Sequence, residues 1–498
     1  MSAPSMTEAR VETRIEAQAR VRGIRRWKLS LAQVWVVLAL LAPAIVSLQI
    51  PLNIGDSAYQ IRAGEIMLKT QTLIRTDPFT FTSGGQPWTN QQWGDGILFA
   101  LLHRAGGWEL LVLTLALLVA STFALVYLAC RASGARVGTS AWLTLGSFLV
   151  ALGYAPGLLS LRPQTFGFLL FALTMWILAR RRRHPGGVWA IPALVLLWAN
   201  LHATFFLAFL LLGLAWLEER SDGRGARLLT VGVVALACSF LNPFGPGVWG
   251  FALDISSNPE VREFGGEWAA PTIRSPSGVA FFLSAAVVGV FLARRRRPLP
   301  WPALLRIGAF FAFGLLAVRG VTWWGLAMAP TMAALVPSGD GSNERDRHVL
   351  HTAIAAFLVI LAVASLPWRG SRGGQADLLA NAPAGITAAL DRVLQPGDRI
   401  FNEVSWGSWF ELRFPRNPVF IDGRLEVFGS SVWDQYAAVR VGLEGWQSIL
   451  DRWRVTAVAI DPDRIPGLLP LISSDPGWRM IHQDSEGVVF VRSEGAAG

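Results

Sequence analysis

Apolar residues gather into long runs that are broken only by short polar stretches, over 33–50, 108–130, 139–156, 164–180, 187–201, 203–218, 227–242, 277–293, 302–318, 322–337 and 349–367. A helix needs about 20 mostly apolar residues to cross a bilayer, so these runs predict about eleven spanning helices. The segments 187–201 and 203–218 are short enough to form one bent pair. The long stretch from 51 to 107 separates the first two runs, and its apolar GILFALLH (96–103) suits a helix lying in the membrane interface.

Alternate loops carry the basic clusters: Arg131 and Arg136; Arg180 to Arg183; Arg220, Arg224 and Arg227; Arg294 to Arg297; Arg345 and Arg347. Basic residues are retained on the cytoplasmic side, so the N-terminus is inside and the odd number of spans carries the C-terminus outside. The first 32 residues, with Arg10, Arg14, Arg20, Arg22, Arg25, Arg26 and Lys28, are then a basic cytoplasmic segment ahead of an uncleaved anchor.

The pattern changes after residue 368. Apolar bursts of strand length (RIFNEV, NPVFID, VTAVAID, WRMIHQD and GVVFVR) alternate with helix-like stretches. Residues 369–498 are therefore expected to form a small α/β extracytoplasmic domain, Rossmann-like in wiring, beside a transmembrane domain over 33–368 whose first outer loop is 51–107. No GxGxxG or P-loop accompanies the strands, so the wiring implies no nucleotide.

Composition agrees. The 498 residues are 52% hydrophobic and 16% charged, against about 25% charged in soluble proteins. The net charge of +10 would suit a nucleic-acid binder, but the basic residues fall in loop clusters, which excludes nucleic acid as the expected partner. Cys130 and Cys238 lie at or inside apolar runs and form no disulfide framework or zinc motif.

With sides assigned, polar residues collect on the outer face. Asp56, Tyr59, Arg62, Glu65, Asp77 and Trp93 lie in the first outer loop; Arg162 and Gln164 at the next outer turn; Asn200 and His202 at the one after. Asn242 and Glu267 share a further outer loop, and Arg319 follows. Charged and amide groups at successive helix ends mark a functional site, because such groups are costly near the membrane core. Snorkelling arginines, interhelical amides and turn residues are the structural alternatives, with Asp77 in TDPF a turn or cap as readily as a site. FIDGR, ending at Arg424, reads first as a turn with an internal ion pair.

The sequences GDSAYQIRAGEIML, RTDPFTFTSGGQPWTNQQW, LRPQTF, LWANLHATF, LNPFG and FNEVSWGSWFELRFPRNPVFIDGR resemble a large bacterial family of GT-C type, related to the protein O-mannosyltransferases and aminoarabinose transferases. The resemblance implies a GT-C-like membrane fold. It also implies inverting transfer of a sugar from a polyprenyl-phosphate donor to an envelope glycan, lipid or protein acceptor at the outer face of the bacterial plasma membrane. By position, Asp56 is the implied base. Arginine offers paired donors to phosphate oxygens, which assigns Arg162 and Arg319 to the donor phosphate, with His202 as a third donor. Tyr59, Arg62, Glu65, Asp77, Trp93, Gln164, Asn200, Asn242 and Glu267 are the expected substrate contacts. The outer loops of the membrane domain lack a tight carboxylate pair such as DxD, so no metal or other cofactor is expected. Asn90, Gln91 and Gln92 stand where the family pattern carries His and Glu. That departure favours the alternative of a noncatalytic scaffold or lipid-carrier-binding protein. A lipid-linked-sugar transporter is a further alternative.

Overall fold

The computed structural model describes residues 29–220, 224–257, 266–336, 348–367 and 378–493. Most of the basic N-terminal segment, and Arg345 and Arg347, lie outside the described residues.

Each of the eleven apolar runs is helical. Helix α1 (Leu31–Gln49) starts on a capping box: the Ser30 hydroxyl accepts the Gln33 amide, and the Gln33 side chain accepts the Ser30 amide at 2.8 Å. Helix α2 (Gly55–Thr70) follows in the first outer loop. Helix α3 (Trp93–Ala132) is broken at Gly106 and Gly107, the latter at φ +63°. The break separates the expected interfacial stretch from the second apolar run, and only glycine adopts that backbone cheaply.

Then come α4 (Val137–Leu152), the single turn α5 (Ala155–Leu158), α6 (Pro163–Arg180), α7 (Ile191–Leu201), α8 (Phe206–Glu219) and α9 (Gly225–Ser239). The pair α7 and α8 is broken at His202, whose backbone is extended. The helix α10 (Gly247–Ser257) precedes α11 (Pro276–Ala293), α12 (Trp301–Leu316), α13 (Gly320–Leu335) and α14 (His348–Ala364). Among the described residues three helices, α1, α3 and α11, are long and apolar enough to cross a membrane. Large apolar side chains stand exposed on α9, α11, α12 and α14, among them Leu229, Val287, Leu316 and Phe357. Such a continuous apolar exterior suits lipid as the surrounding solvent.

The C-terminal region holds α15 (Ala384–Val393), α16 (Val404–Arg413), α17 (Ser430–Val441), α18 (Trp446–Arg452) and α19 (Leu468–Ser474). They pack on a sheet of β3 (Ile400–Asn402), β4 (Ala457–Ile460), β6 (Val488–Arg492) and β5 (Trp478–Gln483), in that spatial order. β3 and β4 are parallel, whereas β4, β6 and β5 are antiparallel, so the sheet is mixed rather than Rossmann-like. The expected strand NPVFID is reduced to bridges, because Val419 pairs with Ile400 on one side and with Thr80 of the first outer loop on the other.

That shared residue shows how the two regions join. β1 (Leu52–Asn53), just before α2, pairs in parallel with β2 (Leu379–Ala380) at the start of the C-terminal region. One hydrophobic core runs from the membrane helices through Trp108 to Trp406, Trp409 and Phe410 of α16. The change of composition at 368 is therefore not a break in packing. Helices α2 and α3 also cross closely, since a Cβ on Gly64 would lie 1.9 Å from the Gly96 carbonyl oxygen.

Candidate functional site

Asp56 is the second residue of α2, on the first turn after the chain leaves α1. Its Oδ2 lies 3.0 Å from Nε of Arg162, the residue that caps α6. Pro163 supplies the first position of that helix without needing a hydrogen bond, so the chain turns there and Arg162 is left at the helix mouth. Arg162 Nη1 reaches Glu267 Oε2 at 2.8 Å, and Arg319 Nη1 approaches Glu267 Oε1 at 3.7 Å. Backbone bonds from Val318 to Ala269 and from Arg319 to Glu267 hold this acid between the two arginines. Tyr154 donates its hydroxyl to Glu267. Arg319 also donates to Gln164 at 3.0 Å, and its guanidinium lies over Trp268 at 4.2 Å.

Asp56, Arg162, Gln164, Glu267, Trp268 and Arg319 line a polar cavity of about 90 Å³ with Tyr59, Gln92 and His202. Its far wall is Gly423 to Glu426 from the C-terminal region. A second, largely apolar cavity of about 400 Å³ adjoins it, walled by Phe206, Phe251, Phe313 and Trp323. Gln92, His202, Ile255, Trp268 and Arg319 border both.

Charge is distributed unevenly. Burial raises the Asp56 carboxyl against the pull of Arg162. Burial also opposes ionisation of Glu267, but Arg319 and Arg162, with hydrogen bonds from Tyr154 and Arg162, hold it down at about 2. Arg162 is lifted above its ordinary value because Asp56 and Glu267 outweigh its burial. Burial and then the charges of Arg319 and Arg162 push His202 down to about 3, so its ring is neutral. Its Nδ1 accepts the Thr204 amide at 3.2 Å, which leaves the proton on Nε2. Glu426 is pushed up by burial to about 7.

Seven of the residues expected from the sequence thus meet at one cavity: Asp56, Tyr59, Arg162, Gln164, His202, Glu267 and Arg319. The others lie elsewhere. Arg62 and Glu65 pair with each other at 3.4 Å on another face of α2. Trp93 donates to Asn200 at 3.0 Å, and Asn242 and Gln91 both donate to the Ala199 carbonyl, so these residues fix the end of α7.

Asp77 accepts the Phe79 and Thr80 amides in a turn and the Arg424 guanidinium at 2.7 Å. Asp422 holds the same guanidinium, which is sealed from solvent and lies over Trp88 and Phe79 at 4.5 and 4.8 Å. The internal ion pair expected in FIDGR therefore forms, with a third member from the first outer loop. Sequence reasoning missed Tyr154 and Glu426. Tyr154 is one of only four tyrosines, the one signal it offered, and Glu426 had none. Among the described residues, no three His, Cys, Asp or Glu side chains gather as a metal would require.

No protein-family model and no curated protein matches the sequence. Solved structures do. The apo oligosaccharyltransferase of Archaeoglobus fulgidus matches at TM-score 0.53 and 13% identity, over 95% of this chain and 75% of the archaeal one. The same enzyme tethered to an acceptor peptide containing an NVT sequon matches at 0.51 and 14% identity, over 94% and 74%. The mycobacterial arabinofuranosyltransferase AftD matches at 0.51 and 15% identity, over 94% of this chain but 40% of AftD. At these identities the likeness is one of fold.

Proposed function

We propose that this chain, which has a GT-C-like fold, is an inverting membrane glycosyltransferase that takes a sugar from a polyprenyl-phosphate donor. The observation that carries the reading is the junction of the two cavities. A largely apolar cavity of about 400 Å³ meets a polar one at Arg319 and His202, with Asp56 on the polar side.

In this reading the lipid occupies the apolar cavity and its phosphate rests at the junction. Arg319 and Arg162 neutralise the charge that grows on the leaving phosphate as the bond to the anomeric carbon breaks, and His202 donates Nε2–H. The acceptor hydroxyl enters from the polar side, and Asp56 takes its proton as the new bond forms on the opposite face of the sugar. A carboxyl raised by burial is the stronger base. Asp56 is paired with Arg162 before donor arrives. An incoming phosphate competes for that guanidinium and frees the base. The arginines supply the positive charge, and we propose no metal.

We further propose that the eleven apolar helices all span, with the N-terminus in the cytoplasm and the site facing the periplasm or exterior of a bacterial plasma membrane. The acceptor is an envelope glycan, lipid or protein. The ends of α6, α8 and α12 support this orientation. One end of each lies near the cavity, while the other joins a network of Arg181, Arg182 and Arg306 with Glu218 and Glu219.

The resting ion pair of Asp56 favours one second reading, a noncatalytic carrier-binding protein. Transfer from radiolabelled polyprenyl-phosphate sugars separates the two: the enzyme reading expects product that vanishes in Asp56→Asn, and the carrier reading expects donor binding without product.

A further inference from the structure

Glu426 sits in the polar cavity on terms unlike those of the other charges there. Asp56 and Glu267 are held by Arg162 and Arg319, and Arg424 by Asp77 and Asp422. The Glu426 carboxylate has no ion pair among the described residues, and Arg424, the cation that acts on it, is already held by two acids. The Glu426 backbone is nevertheless fixed. It lies two residues beyond the sealed Arg424, in a single 3-10 turn (Leu425–Val427) closed by the Val427 amide on the Arg424 carbonyl at 2.9 Å. The same loop lies beside the base, since a methyl group on Gly423 would come into ordinary contact with Asp56 Oδ1, at 3.7 Å.

Position along the cavities says what meets it. The donors Arg319, Arg162 and His202 are those a lipid phosphate would touch, whereas Gly423 to Glu426 border only the polar cavity and bring a carboxylate to it. An unpaired carboxylate would repel a phosphate, but it is a ready acceptor for hydroxyl groups. Resting on the glycosyltransferase reading, we infer that Glu426 binds and positions a hydroxyl-bearing acceptor beside Asp56, making the C-terminal region a wall of the acceptor site and not a separate cover.

The test uses the full chain in nanodiscs. Polyprenyl-phosphate-linked radiolabelled arabinofuranose and mannose serve as donors, and an extract of envelope lipids and glycans from the host serves as acceptor. Glu426→Gln and Glu426→Asp are compared with the unsubstituted protein for melting temperature, donor binding and half-saturating acceptor concentration. At about pH 8, above the raised value of about 7, the carboxylate is ionised, and losing its charged hydrogen bond predicts that Glu426→Gln raises the half-saturating acceptor concentration about tenfold or more. Donor affinity and melting temperature stay within about twofold and a few degrees. Glu426→Asp, one methylene shorter, falls between, and it carries the test if the glutamine variant does not fold. An unchanged acceptor requirement, or an equal loss of donor binding, overturns the inference alone. No transfer by the unsubstituted protein overturns the glycosyltransferase reading and this inference together.

Discussion

Arg162 and Arg424 are both arginines set between two carboxylates, and they end in opposite conditions. The Arg424 side chain is 0% exposed, as are those of its partners Asp77 and Asp422. Its free faces lie over Trp88, Phe79 and Tyr59. Burial and the charge of Asp422 push up the carboxyl of Glu411, close behind. The Arg162 side chain keeps 16% exposure, and its partners Asp56 and Glu267 keep 29% and 24%. What separates them is the wall that is missing. A sealed ion pair has no competitor for its hydrogen bonds and serves to fix backbone, here the first outer loop against the C-terminal region. A pair that borders a cavity can exchange a carboxylate for an incoming phosphate, and in the proposed reading that exchange frees the base.

The comparison breaks most visibly at the sealed pair. Arg424→Gln leaves two buried acids without their cation, a change that costs about 3–5 kcal/mol. The expected outcome is a large fall in melting temperature with early proteolysis of the C-terminal region. A variant as stable as the original would mean that the two clusters do not differ in role. At the open cluster the loss should appear in binding instead. Arg319→Gln removes charged hydrogen bonds worth about 1.5–3 kcal/mol, so titration with polyprenyl phosphate should show about 10- to 100-fold weaker binding. Melting should change little, because Arg162 still holds Glu267.

The pH dependence of stability sharpens the contrast within the cavity itself. Glu267 is held near 2 against an ordinary 4.5, so its contribution is present above 4.5 and is lost as pH falls from there towards 2. Glu426 is shifted the other way, from 4.5 to about 7. The folded protein keeps a proton that the unfolded chain releases, so stability falls as pH rises from 4.5 to 7. Melting curves across both windows should lose the first slope in Glu267→Gln and the second in Glu426→Gln. The smallest effect belongs to a pair outside both clusters. Arg62→Ala breaks a part-exposed contact with Glu65 at 3.4 Å and should cost less than about 1 kcal/mol, with transfer unaffected.

Much of this was legible in the chain. Apolar length alone marked eleven runs that are helical, three of them in helices long and apolar enough to cross a membrane among the described residues, and reading polar residues off alternate helix ends gathered Asp56, Arg162, His202, Glu267 and Arg319 from separate loops. Arg62 and Glu65 were drawn in by nearness to Asp56 in sequence, although they occupy another face of α2. The partnership of Asp77 with Arg424 spans 347 residues, and no local pattern encodes it. Tyr154 meets Glu267 across 113 residues, again with no periodicity to announce it. Asn200 and Asn242 looked like substrate contacts because amides at helix ends serve ligands and backbone carbonyls equally well. The mixed sheet escaped detection because strand-length apolar bursts do not disclose direction, and Val419 divides its pairing between two regions.

The central claim is that the open cluster performs chemistry with Asp56 as its base. It is tested most directly by purifying the protein and Asp56→Asn in nanodiscs and measuring sugar transfer from radiolabelled polyprenyl-phosphate donors to a host envelope extract. The account predicts transfer by the first and a loss of about 10²- to 10⁴-fold in the second, at equal melting temperature and with donor still bound. Equal transfer by both proteins would contradict it.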